Sequence, residues 1–173
     1  LLEKGSEIGA HILSGNVFQT TALDELIPNW KDLNAPLNVP VKKDKLLYLL
    51  EKISLPVPAF IMPTMNNHGN YVISLGNLCR WLAVQAENLG VEIFPGFPAS
   101  KLIYENDKVV GVQTGDMGIG ANGELKPGNE PGIDIRAKYT ILGEGCRGHL
   151  GKEIIEKFDL SKDKDPQHYG IGF

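Results

Sequence analysis

Glycine-rich turns are the segments of this chain best suited to chemistry, because they let a ligand approach the backbone closely. Two segments have the spacing G-x-G-x-x-G, which binds a dinucleotide pyrophosphate when it lies between a strand and a helix: Gly118–Gly123 and Gly143–Gly148. No helical pattern follows the first segment directly, so we interpret it as a chance match in a glycine-rich loop. The second follows a predicted strand and opens a predicted helix. It is therefore the better candidate, although an ordinary strand-to-helix turn would also need glycine.

A carboxylate lies near the other end of the chain. Glu3 follows two leucines and precedes a second glycine-rich segment, Gly9-Ala-His-Ile-Leu-Ser-Gly15. In a Rossmann fold, the acid at the carboxyl end of a strand accepts hydrogen bonds from ribose hydroxyls. Alone, Glu3 would be interpreted as solvated surface, but the glycine loop behind it favours a nucleotide site. Because the apolar run at residue 1 resembles the end of a buried strand, we expect a fragment.

No side chain is assigned a catalytic role from the sequence. His11 and Ser14 could hydrogen-bond to a ligand at the first glycine loop, but such residues more often bond to their own backbone. No Ser-His-Asp set or carboxylate pair stands out. Cys79 and Cys146 lack CxxC spacing, so we predict no metal site and no disulfide framework in this chain.

The elements that would position these residues alternate between helices and strands, which predicts an α/β or α+β fold with a partly parallel sheet. The predicted helices are 21–27, capped by Thr21 with Asp24; 75–89, with Gly90 at its end; and one marked by Leu150, Ile154 and Phe158. The predicted strands are 70–74, 91–94, 99–104, 108–113, 133–136 and 139–142. Asn106-Asp107 predicts a hairpin turn, and residues 115–132 predict a long loop or a loose hairpin.

The most apolar stretch, Leu46–Pro63, has two interpretations. It contains three prolines, is too short to span a membrane, and is flanked by Lys42, Lys43, Lys45 and Lys52. One interpretation is a core helix with an apolar connector, which the residues alone favour. The other is a surface inserted shallowly into lipid, with the lysines reaching the headgroups.

Composition excludes some classes of function. The formal net charge is −4 with no long basic run, so the sequence does not indicate nucleic-acid binding. Hydrophobic residues make up 42% of the chain, which is typical of a globular protein and not of a disordered one. No signal peptide or apolar run of about 18 residues is recognisable.

Six strings, taken in order, resemble one family. They are Glu3-Lys4, Ile8–Gly15, Ala35-Pro-Leu-Asn38, Asn66-Asn-His-Gly-Asn-Tyr71, Gly143-Glu-Gly-Cys146 and Tyr169-Gly-Ile-Gly172. Together they resemble the electron-transfer flavoprotein:ubiquinone oxidoreductases, over essentially the whole chain. The resemblance implies an incomplete FAD/NAD(P)-binding, Rossmann-like flavoprotein fold with an inserted membrane-facing segment.

The same resemblance implies an activity. A monotopic membrane enzyme with FAD and a 4Fe-4S cluster would take electrons from reduced electron-transfer flavoprotein and pass them to ubiquinone. The first phosphate loop is expected upstream of Leu1, and the cluster ligands and most quinone contacts downstream. Neither Cys79 nor Cys146 is then a cluster ligand, and we expect the fragment alone to be inactive. The compartment would be the matrix side of the mitochondrial inner membrane or the cytoplasmic side of a bacterial membrane.

Site residues follow from the matched strings. Glu3, with Lys4 beside it, would lie at the AMP ribose, and Gly9, His11, Ser14 and Gly15 along the flavin side. Phe97, Pro98 and Ala99 would offer backbone to the adenine, and Gly143, Glu144 and Gly145 would approach the pyrophosphate or ribityl chain. The predicted membrane-facing side chains are Leu46, Leu47, Leu49, Leu50, Ile53, Leu55, Val57, Phe60, Ile61 and Met62.

The resemblance divides the chain into four parts. Residues 1–36 and 75–160 would belong to the FAD domain, 37–74 to a membrane- and quinone-side excursion, and 161–173 to the start of the quinone-side domain. Two alternatives remain: another FAD enzyme, similar to geranylgeranyl reductases or hydroxylases, and a non-enzymatic membrane-binding module. The module would leave Glu3 and Gly143–Gly148 unexplained.

Overall fold

The computed structural model describes residues 1–12 and 15–170, which form two compact units. The first unit runs from Leu1 to Gly96 and the second begins at Phe97. Each unit combines small sheets with few helices, which is compatible with the predicted α/β class. The division of the chain into four functional parts stays a prediction.

The first unit contains a parallel strand pair, an antiparallel sheet and a hairpin. Its elements are β1 (Leu2–Glu3), β2 (Gly15–Phe18), α1 (Thr21–Leu26), β3 (Val39–Pro40), β4 (Leu46–Leu49), β5 (Ser54–Val57), β6 (Tyr71–Ser74), α2 (Leu75–Asn88) and β7 (Phe94–Pro95). Strand β1 pairs in parallel with β7, and β6 lies between β2 and β3 in an antiparallel sheet. Strands β4 and β5 pair only with each other among the described residues.

A single apolar cluster holds the antiparallel sheet of the first unit to its helices. The buried members are Leu23, Trp30, Ala35, Leu37, Ile73 and Leu78. The indole Nε1 of Trp30 donates to Asp24 at 2.6 Å, and its ring stands edge-on to Tyr71 with centroids 5.8 Å apart. Ala35 and Leu37 belong to one of the six matched strings, so that string has a packing role here.

The sequence signal at the end of helix α2 was correct, whereas the one at the start of helix α1 was not. Helix α2 begins after Ser74, whose Oγ accepts from the Asn77 N–H at 3.4 Å. It ends before Gly90, which has φ +88° as predicted for a left-handed terminus. The predicted cap of α1 was wrong. Thr20 precedes that helix and its hydroxyl donates to Asp24 at 2.8 Å, whereas Thr21 is already helical.

The second unit is a three-stranded sheet with a helix against it and a separate hairpin. Its elements are β8 (Ala99–Glu105), β9 (Lys108–Thr114), β10 (Met117–Ile119), β11 (Leu125–Glu130), β12 (Asp134–Arg136) and α3 (His149–Lys157). Strand β9 pairs antiparallel with both β8 and β12, and β10 with β11. Asn106 and Asp107 have φ +46° and +61°, so the predicted tight turn between β8 and β9 is confirmed.

Helix α3 is attached to β8 through an aromatic contact. The rings of Tyr104 and Phe158 have centroids 6.3 Å apart. The Tyr104 hydroxyl donates to Glu153 at 2.9 Å. Burial, followed by the bond to that carboxylate, raises the pKa of Tyr104 to about 12. The predicted helix marked by Leu150, Ile154 and Phe158 is confirmed, with Phe158 just after its last turn.

Three predicted elements were wrong, and in each the apolar pattern did not specify the strand partner. Residues 139–142 form no strand, and Tyr139 and Ile141 are 88% and 92% exposed. The predicted buried strand 91–94 is reduced to β7 and is exposed. The stretch from Leu46 is a hairpin and not a core helix. A strand forms only where another strand supplies hydrogen bonds, and a short apolar run does not specify that partner.

Candidate functional site

Glu3 lies at the carboxyl end of a parallel strand, where open α/β sheets bind their ligands. Its Oε1 accepts a hydrogen bond from the backbone N–H of Gly5 at 2.6 Å. The Gly5 carbonyl in turn accepts from the Gly96 N–H at 2.7 Å. The half-buried carboxylate is therefore oriented by the turn that follows β1, while Lys4 is exposed.

The first glycine loop lies against the first turn of α2. Gly9 has φ +79°, and a Cβ there would be 2.9 Å from the carbonyl oxygen of Gly76. Only glycine permits this approach of two backbones. The Arg80 guanidinium holds the same loop, with Nη1 donating to the Ile8 carbonyl at 3.5 Å and lying 3.8 Å from a Glu7 oxygen.

Gly76 and Arg80 are the residues that sequence reasoning missed at this loop. Gly76 had a weak signal, since glycine in the first turn of a helix is costly without a packing reason. Arg80 had none. Of the other predicted residues, His11 is exposed, Gly15 begins β2 opposite Ser74, and Ser14 lies outside the described residues.

The predicted adenine segment begins the second unit. Phe97 is half-buried, and the Pro98 carbonyl accepts from the Gly115 N–H at 2.9 Å. Ala99 opens β8 opposite Thr114. The Pro98 carbonyl is therefore engaged by the protein itself, and the predicted use of this backbone by a ligand stays a prediction.

The turn before α3 presents open glycines. Gly145 has φ +78°, and a Cβ built on Gly143 or Gly145 would meet nothing within 4 Å. A ligand could therefore approach this backbone without steric conflict. The Gly118–Gly123 match, in contrast, is part of the β10–β11 hairpin, as expected for a chance match.

Glu144 occupies the positive end of α3. Its Oε2 accepts from the Gly151 N–H at 2.9 Å, and its Oε1 lies 3.3 Å from Nδ1 of His149. A helix N-terminus binds anions through its free N–H groups and its dipole. A phosphate placed there would compete with this carboxylate, an interaction that the motif alone did not reveal.

The predicted cofactor residues divide between the two units. Glu3, Lys4, Gly9, His11 and Gly15 belong to the first unit. Phe97, Ala99, Gly143, Glu144 and Gly145 belong to the second. In the first unit, Gly5 lies between Glu3 and the residue after Gly9, because a Cβ on Gly5 would be 3.1 Å from Glu3 Oε1 and 3.3 Å from the Ala10 Cβ. In the second unit, Glu144 accepts from the Gly151 N–H of the helix that follows the glycine turn.

The hairpin of β4, β5 and residues 50–53, here called the apolar hairpin, is apolar on both faces. Its register pairs Leu47 with Pro56 on one face and Tyr48 with Leu55 on the other. The large side chains of Leu47, Tyr48 and Leu55 each have an exposed fraction of more than a third. Of the predicted membrane-facing side chains, Leu46 and Val57 are half-buried and the rest exposed. The exposed fraction is 72% for Leu49 and 83% for Phe60.

A polar clasp closes the base of the apolar hairpin. One oxygen of Asp44 accepts from both the backbone N–H and the Nδ2 of Asn67, at 2.9 and 3.0 Å. The backbone bond, followed by the side-chain bond, lowers the pKa of Asp44. Beside the clasp lies a cavity of about 490 Å³, lined by three lysines and several apolar residues.

Within residues 1–12 and 15–170, no group of three or more His, Cys, Asp or Glu side chains could hold a metal ion. Cys79 is half-buried, Cys146 is exposed, and both are free thiols. None of the helices described is both long and apolar enough to cross a bilayer.

Curated relatives match 99% of the chain. It is 58% identical over 177 residues to the electron transfer flavoprotein-ubiquinone oxidoreductase of Pseudomonas aeruginosa. It is 57% identical over 175 residues to the probable enzyme of that name from Acinetobacter baylyi. The mitochondrial protein of Bos taurus is 48% identical over 173 residues.

The chain spans about a third of the length of these relatives, with shares of 32%, 31% and 28%. No family model matches the chain. The resemblance predicted from the six ordered strings is confirmed, because the relatives carry the name of that family. Their names identify them as oxidoreductases.

Proposed function

We propose that this chain is part of an electron transfer flavoprotein–ubiquinone oxidoreductase. The observation that carries the proposal is the identity of 47–58% over 99% of the chain to proteins of that name. The complete enzyme takes electrons from reduced electron-transfer flavoprotein and delivers them to ubiquinone through FAD and a 4Fe-4S cluster. This chain supplies part of the FAD site and a membrane-facing surface.

FAD supplies reversible uptake of electrons when bound, and the protein binds and orients it. The first unit fits the AMP end of such a cofactor. Glu3 presents an oriented carboxylate at the end of a parallel strand, where ribose hydroxyls are recognised. The turn at Gly9, fixed by Gly76 and Arg80, fits a rigid wall along the flavin side.

In the second unit, the Gly143–Gly145 turn has two predicted contacts, the pyrophosphate and the ribityl chain. The position of Glu144 favours the ribityl chain. A pyrophosphate would be repelled by the carboxylate that already caps α3. Ribityl hydroxyls are neutral donors, and a carboxylate is an acceptor for them. The arrangement therefore supports a contact with the ribityl chain. Gly143 and Gly145 leave room for it, because a Cβ at either would meet no neighbouring atom.

The apolar hairpin supports monotopic association with a membrane. A two-stranded hairpin is marginally stable in water, and this one exposes apolar side chains on both faces. Shallow insertion into the interface would bury both faces. Glu51 and Lys52 at the tip oppose deeper entry, because charged groups in hydrocarbon are costly. Ubiquinone is confined to the bilayer, so its reductase requires such a surface.

The cluster requires ligands that the described part of this chain does not provide. Cys79 and Cys146 belong to separate units and have no cluster-like set of partners around them. We place the ligands elsewhere in the enzyme. The matrix side of a mitochondrial inner membrane and the cytoplasmic side of a bacterial membrane are both compatible with relatives from mitochondria and bacteria.

Cofactor content tests the proposed enzyme. The full polypeptide that carries this chain, purified in mild detergent, should contain one FAD and about four iron atoms per molecule. FAD without iron would point instead to an enzyme similar to geranylgeranyl reductases or hydroxylases. Lipid binding with neither cofactor would point to a non-enzymatic membrane module.

The substitution Glu3→Gln tests the ribose contact. Glutamine keeps an oxygen for the Gly5 N–H but removes the charge and one acceptor. Losing a charged hydrogen bond should weaken FAD binding by roughly ten- to a hundredfold, measured by flavin fluorescence on reconstitution. Glu87→Gln, an exposed change on α2, is the matched control and should bind normally. Equal affinity for all three proteins would exclude Glu3 from the cofactor site.

A further inference from the structure

The hairpin of β10, β11 and the turn between them, here called the acidic hairpin, connects β9 to β12. Its root is tied to the three-stranded sheet. The buried Thr114, at the end of β9, accepts at its Oγ1 a hydrogen bond from the Ile133 N–H at 2.9 Å. Asp116 Oδ1 accepts from the Gly132 N–H at 2.7 Å. The two ends of the acidic hairpin are therefore fixed to each other and to the sheet.

Close backbone contact also gives the acidic hairpin a defined shape. Gly118 has φ +71°, and a Cβ there would be 2.9 Å from the Asn129 Cα, so only glycine permits this approach. The Asn129 Nδ2 donates to the Met117 carbonyl at 2.7 Å. Among the described residues, β10 and β11 pair with no strand except each other. The strand pair is thus ordered, and no other described strand extends it.

One face of the acidic hairpin exposes apolar side chains. Ile119 and Leu125 lie directly opposite each other in the register, so their side chains share a face. Both are exposed, and the exposed fraction of Leu125 is 71%. Met117, two residues before Ile119, is exposed as well. Neighbouring apolar side chains exposed in this way are typical of a surface that binds a partner.

Carboxylates border these apolar side chains. Asp116 immediately precedes β10, Glu124 immediately precedes β11, and Glu130 ends β11. All three are exposed, and Lys126 is the one basic residue of the hairpin, so an excess of negative charge remains. An acidic rim of this kind attracts a basic protein surface and repels an acidic one.

The charge of the rim indicates a protein partner that binds reversibly. Anionic lipid headgroups attract lysine and arginine, so a surface with excess carboxylates does not match a membrane. Charged side chains are almost never fully buried without a partner, so the rim does not match permanent burial inside an enzyme either. Reversible protein interfaces commonly have an apolar centre and a polar rim. The partner that fits therefore presents an apolar patch bordered by lysine or arginine.

We propose that the acidic hairpin is a docking surface for electron-transfer flavoprotein, with Ile119 and Leu125 at the apolar centre and Glu124 and Glu130 on the rim. The inference rests on the proposed function and adds to it the place where the electron donor binds. Electron transfer flavoprotein is the protein partner in the names of the relatives. Interfaces between redox proteins are small and weak, and a single hairpin supplies a surface of that kind.

Steady-state kinetics of the full polypeptide that carries this chain test the docking surface. The measured quantity is KM for reduced electron-transfer flavoprotein, with a ubiquinone analogue as the acceptor. The double change Glu124→Lys and Glu130→Lys should raise KM about tenfold at low salt, because it replaces attraction at the rim by repulsion. The difference from the native protein should shrink above about 0.1 M salt, where the screening length falls below about 10 Å. The value of kcat should change little.

A second variant tests the apolar centre. Leu125→Ala should raise KM about three- to tenfold at any salt concentration, because the side chain then buries less apolar surface against the partner. The charge-matched control for the double change is Glu25→Lys with Glu87→Lys, two exposed acids of the first unit. The control should keep the native KM.

A further readout separates docking from the integrity of the enzyme. Reoxidation of dithionite-reduced enzyme by the ubiquinone analogue needs no electron-transfer flavoprotein, so its rate should be the same in the native protein and all three variants. Slower reoxidation in the hairpin variants would show that the acidic hairpin packs against the rest of the enzyme, which overturns the docking surface.

The other outcomes distinguish the docking surface from the proposed function. A native KM in both hairpin variants would overturn the docking surface and leave the proposed enzyme intact. No oxidation of electron-transfer flavoprotein by the native polypeptide would overturn the proposed function and the docking surface with it. An equal rise of KM in the control would show a diffuse effect of net charge, which overturns a site at the acidic hairpin.

Discussion

The apolar cluster around Trp30 and the apolar hairpin belong to the same unit and are built from similar residues, yet their surroundings are opposite. In the cluster, Leu78 is 2% exposed and the Trp30 indole has its hydrogen-bond partner. In the hairpin, Leu49 is 72% exposed and both faces meet solvent. Apolar content therefore does not determine burial. Packing partners determine it, and every side chain of β4 and β5 except Leu46 and Val57 is exposed.

Alanine substitution of one leucine from each region should change stability very differently. Leu78→Ala should lower the free energy of unfolding by about 2–5 kcal/mol, because it leaves a cavity in a packed core. Leu49→Ala should change it by less than about 0.5 kcal/mol in water, since the side chain is already exposed. Urea denaturation followed by tryptophan fluorescence measures both. Similar losses for the two variants would mean that the hairpin is packed in solution.

Liposome binding, unlike stability in water, should depend on the leucines of the hairpin. Leu49→Glu with Leu50→Glu should weaken liposome binding on the order of thirtyfold, or about 2 kcal/mol, because two inserted side chains become charged. Stability in water should hardly change. Leu89→Glu with Leu125→Glu, exposed leucines outside the hairpin, is the control and should bind liposomes normally. Retained binding of the hairpin variant would remove this segment from the membrane surface.

Low pH should destabilise both regions, the apolar cluster through Asp24 and the hairpin base through Asp44. Hydrogen bonds from Trp30 and then Thr20 lower the pKa of Asp24, as the Asn67 bonds do for Asp44. A lowered folded-state pKa gives stability that is present above the unfolded value, near 4, and is lost as pH falls through the folded-state pKa. Unfolding between about pH 5 and 2 should be less pH-dependent in Asp24→Asn and Asp44→Asn.

A fluorescence readout distinguishes these two carboxylates. Asp24→Asn should alter the emission of Trp30, whose Nε1 donates to Asp24, and Asp44→Asn should leave that emission unchanged. Protease cleavage near the hairpin base should instead increase in Asp44→Asn, because the Asn67 clasp is weakened. If neither variant changes the acid transition, the hydrogen bonds of Asp24 and Asp44 contribute little to stability.

Sequence reasoning succeeded where the determining contacts are local. The turn at Asn106-Asp107 needs only two residues that tolerate positive φ, and the end of α2 needs only Gly90. It failed at residues 139–142 because a strand forms only with a partner strand, which a short apolar run does not specify. It also missed Thr20 as the residue preceding α1, one position from the prediction, where helix boundaries are least determined.

At the candidate site, residue types were more predictable than their contacts. Glu3 was recognised from its place between an apolar run and a glycine loop, and the structure puts it at the end of β1. The Gly9–Gly76 contact joins residues far apart in sequence, so no local pattern predicted it. Glu144 was recognised within a motif, but its bond to the Gly151 N–H depends on how the turn meets α3.

The pairing of β1 with β7 sets the order in which the proposed site can assemble. Leu2 and Phe94 lie about 90 residues apart, so closing this pair has a large entropic cost. The β8–β9 hairpin closes over two residues and can form within microseconds of its synthesis. At a translation rate of about 5–20 residues per second, roughly 5–20 s pass between the synthesis of Glu3 and that of its partner strand. The carboxylate best placed for a nucleotide thus reaches its final position only after the rest of the first unit has been synthesised.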